Sequence, residues 1–269
     1  MQKNIAIVVN THSSMKDLWK MFIGEFEKYF PGQKLYFFSN MKNKVFHKHK
    51  TILYDKKKDF TTQYYDCLIK IKEPYCITLN EDYIMYNDVK KDIINDYTKV
   101  LEKNKKISFI RLHKGPNFTS KKFKKNLFYL DTNKRHLYSQ VATLWKTKDL
   151  LNLYKIAPRS YIGQKLDHKS VNMCAEDEID ILCRKKRIRG LYSFSNEKLL
   201  GYSNYDSYVF PYLQSVIVKG SWNFKEYKKE LIALFKKYKI KKNNREIFFT
   251  NYKDIVVSFL KKTGLKSEY

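Results

Sequence analysis

Glycine and proline are scarce, 8 and 5 in 269 residues, and no repeat or low-complexity linker interrupts the chain. A single large domain with at most a small appendage follows. The four cysteines, Cys67, Cys76, Cys174 and Cys183, include no CxxC pair. That spacing argues against a structural zinc or redox site and leaves reduced, mostly buried thiols. Arginine is also rare: only seven of the 54 basic residues are arginine and 47 are lysine. Arginine is the better bidentate reader of phosphates and bases, so this surplus of lysine is weak support for nucleic-acid recognition. No run approaches the roughly 18 consecutive apolar residues of a membrane helix, and Met1-Gln2-Lys3-Asn4 enters an apolar segment without a cleavage pattern. The expectation is a cytoplasmic protein, with peripheral contact at a membrane left open.

What is present is a chain with 43% hydrophobic and 16% aromatic residues, enough for a sizeable core, and a formal net charge of +27. Such charge attracts polyanions, whether nucleic acid, an anionic membrane surface or a phosphorylated small molecule. Most of it reads as solvated surface lysine, including the runs Lys56-Lys57-Lys58, Lys121-Lys122 and Lys241-Lys242, which the sequence places in loops.

The continuous apolar run Ile5 to Asn10 predicts a strand buried on both faces. Leu18, Phe22, Phe26 and Tyr29 recur at helical spacing, stopped by Pro31-Gly32. Strands are expected at Leu35 to Phe38 and Thr51 to Tyr54, a helix over Phe60 to Lys72, and a buried strand over Tyr75 to Leu79. Asp88 to Asn104 reads as an amphipathic helix. Strands follow at Ile107 to Leu112, Asn126 to Leu130 and Ser139 to Trp145, then a helix at Lys148 to Tyr154. Beyond an irregular segment come a helix over Glu176 to Lys186, a strand over Ile188 to Phe194, an extended aromatic stretch from Tyr208 to Val218, and helices over Lys225 to Tyr238 and Tyr252 to Lys262. This alternation predicts an α/β fold, a mostly parallel sheet flanked by helices, in a domain spanning 1–222 with a helical C-terminal extension, 223–269, packed on it.

Two acidic clusters stand out. Asn80-Glu81-Asp82 ends a buried strand, the place where open α/β sheets bind ligands, and its carboxylates suit a hard divalent cation on a diphosphate. Glu176-Asp177-Glu178-Ile179-Asp180 begins a helix, where Glu178 and Asp180 are accounted for by capping and surface charge. The order is strand-end acids, then a helix-start Glu-Asp pair, then Arg184-Lys185-Lys186-Arg187 and a strand.

That order resembles the GT-A glycosyltransferases, which have a single nucleotide-binding α/β sheet, and most of all their inverting members, over about residues 4 to 195. In that family a first strand and loop hold the nucleotide, a DxD-type motif holds the metal, and an acidic "ED" motif supplies the base. The resemblance implies a sugar-nucleotide-dependent transferase of hexosyl or related groups to a glycan or lipid-linked acceptor. It assigns Asp177 as general base with Glu176 beside it, Asp82 as ligand to Mn²⁺ or Mg²⁺, and Asn10, Thr11, His12, Ser39, Asn40, Asn80 and Glu81 to the nucleotide sugar. Asn80 stands where the family commonly has an aspartate, and Ser39-Asn40 replace acids that often follow the second strand, which leaves Asp17 or Asp55 to meet the base or ribose. Gln140 and Trp145 fall where related enzymes form the acceptor floor, and His168 precedes the base as a further acceptor contact. His113 reads as structural, and Lys219-Gly220 as a plain turn. A basic nucleic-acid-binding protein without catalysis is the alternative, supported by charge and aromatics but by no recognised binding motif. A nucleotidyltransferase would usually carry a glycine-rich loop after the first strand, and Thr11-His12-Ser13-Ser14 has no glycine.

Overall fold

Ile5 through Val9 are all at most 7% exposed, so the first strand is covered on both faces and lies inside a sheet, as its uninterrupted apolar pattern demands. A computed structural model of the protein describes residues 4–157, 175–200, 204–241 and 244–248. The chain divides into two compact units, one ending at Gln214 and one beginning at Ser215.

The first unit runs β1 (Ile5–Asn10), α1 (Lys16–Tyr29), β2 (Leu35–Ser39), β3 (Lys50–Leu53), α2 (Phe60–Leu68), β4 (Tyr75–Asn80), β5 (Ile84–Met85), α3 (Lys91–Lys103), β6 (Phe109–Arg111), β7 (Lys122–Lys124), β8 (Leu127–Tyr129) and β9 (Thr143–Lys146). It continues with α4 (Thr147–Ile156), α5 (Ala175–Lys185), β10 (Gly190–Ser193), β11 (Leu199–Leu200), β12 (Asn204–Tyr205) and β13 (Tyr212–Leu213). Nine strands form one sheet in the order β3-β2-β1-β4-β9-β6-β10-β8-β7. β9 lies antiparallel between β4 and β6, and β8 antiparallel to β10, while the other strands share one direction. This is the α/β arrangement, a mostly parallel sheet flanked by helices, that the alternation of strands and helices predicts.

Alternate side chains supply the two faces. Ala6, Val8, Tyr36 and Phe38 join Tyr64, Leu68, Leu150, Tyr154, Ile179 and Cys183 of α2, α4 and α5 in one apolar cluster. On the opposite face Phe37 meets Phe22 of α1, and Trp19 meets Phe46. In the middle of the sheet the Trp145 ring stacks on Phe109 at 4.2 Å. Gly190 gives that ring its room: a Cβ there would lie 2.1 Å from Phe109 Cζ. Cys67, Cys76 and Cys183 are free and buried, as expected, and Cys174 lies outside the described residues.

Several boundaries differ from the sequence reading. The expected strand Ser139 to Trp145 is a strand only from Thr143, and Gln140 spends its backbone carbonyl and amide on the Asn80 and Glu176 side chains of the candidate site instead. The α3 helix starts at Lys91 rather than Asp88, since the Val89 and Lys90 amides donate to the carbonyls of Tyr29 and Val209. Lys122 is not in a loop but on the edge strand β7. The stretch from Tyr208 to Val218 contains only short strands, of which β13 pairs with β5. The helix expected at Tyr252 to Lys262 lies outside the described residues.

The second unit holds a hairpin, β14 (Ile217–Val218) and β15 (Ser221–Trp222), turned at Lys219 (φ 50°) and Gly220 (φ 81°). Left-handed backbone at both central positions suits the twist of a two-residue hairpin, so this is the plain turn that was expected. Helix α6 (Phe224–Tyr238) follows, its first turn capped by Asn223 Oδ1 accepting from the Glu226 amide. Trp222 packs against Phe235 of this helix at 4.6 Å.

Candidate active site

The carboxyl ends of β1, β2 and β4 lie side by side, with Asn10 in register with both Phe38 and Asn80. The loops leaving them are laced together. Thr11 donates its amide to the Phe38 carbonyl, its Oγ1 accepts from Trp19 Nε1 at 2.7 Å, and its carbonyl accepts from Tyr54 OH at 2.9 Å. Asn40 Oδ1 accepts from the Ser13 amide at 2.8 Å while its Nδ2 donates to Ser13 Oγ at 2.9 Å. Ser39 is fully buried and its Oγ accepts from the Met41 amide, whereas His12 is exposed and hydrogen-bonded to Ser14. Asp17 sits in the first turn of α1, directly after this loop. The residues assigned to the nucleotide sugar therefore gather along one rim.

Glu81 and Asp82 follow β4 on the same rim. Burial pushes the Glu81 carboxyl up to about 8, helped by the neighbouring Asp82 charge and opposed by hydrogen bonds from the Thr11 hydroxyl and the His12 amide. Asp82 is pushed up to about 7, again by burial, with its own backbone amide the only opposing influence. Both carboxyls thus sit where negative charge is poorly compensated. Among the described residues no three His, Cys, Asp or Glu side chains form a complete metal cage. Mg²⁺ or Mn²⁺ does not require one, being held by one or two carboxylates together with substrate phosphates and water. A hard oxygen donor whose charge lacks compensation fits such an ion.

The two acidic clusters are joined through Gln140. Its carbonyl accepts from Tyr83 OH and from Asn80 Nδ2 at 3.4 Å, and its amide donates to Glu176 Oε1 at 3.1 Å. Ser139 Oγ donates to the same oxygen at 2.8 Å. Asp177, one residue on, is half-buried and forms an ion pair with Arg135 at 3.0 Å. Glu178 and Asp180 depart from the reading of capping and surface charge, because both are buried. Asp180 accepts from the Tyr138 amide at 3.0 Å and from Arg184 Nε at 3.1 Å, so it anchors the 138–140 segment on which the bridge depends. Among the described residues Glu178 Oε1 has no partner, and burial, with the Asp59 charge behind it, raises the carboxyl above its usual range.

The segment that leads into Tyr138 is held by a group that sequence reasoning missed. Arg111 is 1% exposed, and its Nη2 donates to the carbonyls of His136 and Leu137. Burial lowers it to about 10, while Tyr212, Glu176 and Asp180 favour the charged form. Only the odd charge inside the apolar run Ile107 to Leu112 signalled it. His113 is buried beside Tyr212 and pushed down to about 3 by burial and then by the Arg111 charge, so it is a neutral structural residue, as expected. Trp145 lies in the core at 1% exposure, stacked on Phe109 rather than facing this rim. His168 lies outside the described residues.

No protein-family model and no curated protein matches this sequence. Among solved structures, the chain is similar to residues 1–349 of TarS from S. aureus, with 14% identity and a TM-score of 0.44 over 75% of this chain and 60% of that one. It is also similar to the mannosyltransferase PcManGT from Pyrobaculum calidifontis, in complex with GDP-Man and Mn²⁺, with 9% identity and a TM-score of 0.46 over 72% and 55% of the two chains. A third similarity is to a UDP-glucose pyrophosphorylase complexed with UDP-glucose, with 8% identity and a TM-score of 0.43 over 70% and 89%. The chain spans little more than half the length of the first two.

Proposed function

We propose that this chain is an inverting glycosyltransferase that moves a sugar from a nucleotide-sugar donor to a hydroxyl of a glycan or lipid-linked acceptor. The observation that carries the reading is the Gln140 bridge: Asn80 of the strand-end cluster and Glu176 of the helix-start cluster both bond its backbone, and Tyr83, bonded to the same carbonyl, feels the charges of both Asp82 and Glu176. A transferase needs that proximity, because one acid must serve the leaving diphosphate while another serves the attacking hydroxyl.

In this reading Asp177 takes the acceptor hydroxyl proton. The oxygen bonds to the anomeric carbon as the bond from that carbon to the diphosphate oxygen breaks, with inversion at the carbon. The N-terminus of α5 and the Arg135 guanidinium both favour negative charge at Asp177. Glu176 is already committed to Ser139 and Gln140, so its role is to hold the acceptor side of the site in place. Asn10, Thr11, His12, Asp17, Ser39, Asn40, Asn80 and Glu81 line the nucleotide side. Asp82 would hold Mn²⁺ or Mg²⁺, which when bound neutralises charge on the departing nucleoside diphosphate.

Thermal shift against a panel of nucleoside diphosphates and nucleotide sugars, with and without Mn²⁺, tests binding, since a ligand selective for the native state raises its stability. The proposal expects a metal-dependent shift with at least one nucleoside diphosphate, lost in Asp82→Asn. Binding to single-stranded or duplex nucleic acid with no nucleotide-sugar response would replace it with the binding-protein alternative.

A further inference from the structure

A groove of about 650 Å³ runs between α3 and the edge hairpin β7–β8, and none of its lining residues belongs to the candidate active site. Its floor and walls are apolar: Ile93, Tyr97 and Val100 from the helix, Phe123 and Leu127 from the hairpin. Its rim is cationic on both banks. Lys99 and Lys103 stand on the helix and Lys124 and Lys125 on the hairpin, all exposed. The single rim acid, Asp96, is engaged by Lys99 at 3.0 Å, and among the described residues no ion pair engages Lys103, Lys124 or Lys125.

We infer that this groove docks the protein on an anionic lipid surface. The flexible lysine stems can lie along the apolar walls while their ammonium groups reach headgroup phosphates. Phe123, half-buried on the wall, can enter the boundary between headgroups and acyl chains. Lysines on an edge strand also discourage strand pairing with other molecules, but that role accounts for neither the apolar floor nor the two lysines on the facing helix. The charge favours a membrane over a protein: the lysines are ammonium point charges on mobile stems, suited to diffuse anionic headgroups, and among the described residues no arginine lines the groove to fix a carboxylate bidentately.

The test is co-sedimentation of the whole chain with vesicles of phosphatidylcholine alone and of phosphatidylcholine mixed with phosphatidylglycerol. Four proteins are compared: wild type, K124E/K125E, F123S, and K56E/K57E as a control with the same net charge as the first variant. Wild type is expected to bind the anionic vesicles and not the neutral ones. K124E/K125E is expected to weaken partitioning about thirtyfold or more, F123S to weaken it at unchanged net charge, and K56E/K57E to change it little. Circular dichroism verifies that each variant is folded, and K124Q/K125Q replaces the charge reversal where it is not. Equal losses in K124E/K125E and K56E/K57E would overturn the assignment, because binding would then follow net charge alone. So would an absence of binding to anionic vesicles, or binding of a soluble acidic helical peptide in their place.

Discussion

Replacing Glu81 with glutamine removes a buried carboxyl that the fold holds protonated near neutrality while leaving a side chain of the same shape. The sign follows from proton counts. Between pH 4.5 and about 8 the unfolded chain has released this proton and the folded chain keeps it, so unfolding is favoured as pH rises. From pH 4.5 to pH 7 that is 2.5 units, or about 3 kcal/mol at roughly 1.4 kcal/mol per unit. The stability of wild type relative to Glu81→Gln should therefore fall by about 3 kcal/mol across that range and level off above pH 8. Urea titrations at half-unit pH steps, analysed as the difference between the two proteins, cancel the contributions of groups that do not interact with Glu81, such as His49, whose buried ring resists protonation, and leave Glu81 with its neighbour Asp82. Parallel stability curves from pH 4.5 to 8 would refute the reasoning, because they would mean that Glu81 is hydrated or already compensated in the folded state.

Binding of Mn²⁺ with a nucleoside diphosphate should displace protons from the strand-end carboxyls, on the order of one half to one at pH 7. Calorimetry in buffers of different ionisation enthalpy would show it, and a buffer-independent enthalpy would contradict the placement of the metal at Asp82. Asp180→Ala leaves the Tyr138 amide and Arg184 without their buried acceptor and should cost about 2–3 kcal/mol in denaturant unfolding. Gly190→Ala drives a methyl group into the Phe109 ring and should cost about 1–3 kcal/mol, relieved in part by Phe109→Leu. Additivity of those two substitutions would show that the contact is not what destabilises the single variant.

The sheet was legible because its inner strands are continuous apolar runs: Ile5 to Val9 and Leu35 to Phe38 carry strand, burial and position in one pattern. The carboxyl ends of those strands, and hence the rim proposed for the nucleotide, followed from the same pattern. The segment proposed for the acceptor was harder to read. Gln140 acts through its backbone amide and carbonyl, which every residue has, so no side-chain pattern announces it. Asp180 looked like a surface acid because helix starts are commonly acidic, and only its distant partner Tyr138 gives it a reason to be buried. Arg111 was hidden in the same way, a charge tolerated in a strand because carbonyls 25 and 26 residues away receive it. The resemblance places Trp145 on the acceptor floor, but strand alternation and the Phe109 ring turn it into the core.

The central claim is that a sugar, and not a nucleotidyl group, is transferred between the two acidic clusters. Product analysis with a panel of nucleotide sugars and Mn²⁺, run in parallel with nucleoside triphosphates and sugar phosphates, tests it directly. The account predicts release of a nucleoside diphosphate from a nucleotide sugar, lost in both Asp82→Asn and Asp177→Asn, and an anomeric configuration in the glycoside opposite to that of the donor. Pyrophosphate release from a nucleoside triphosphate and a sugar phosphate, or nucleoside diphosphate release that persists in Asp177→Asn with retained configuration, would contradict it.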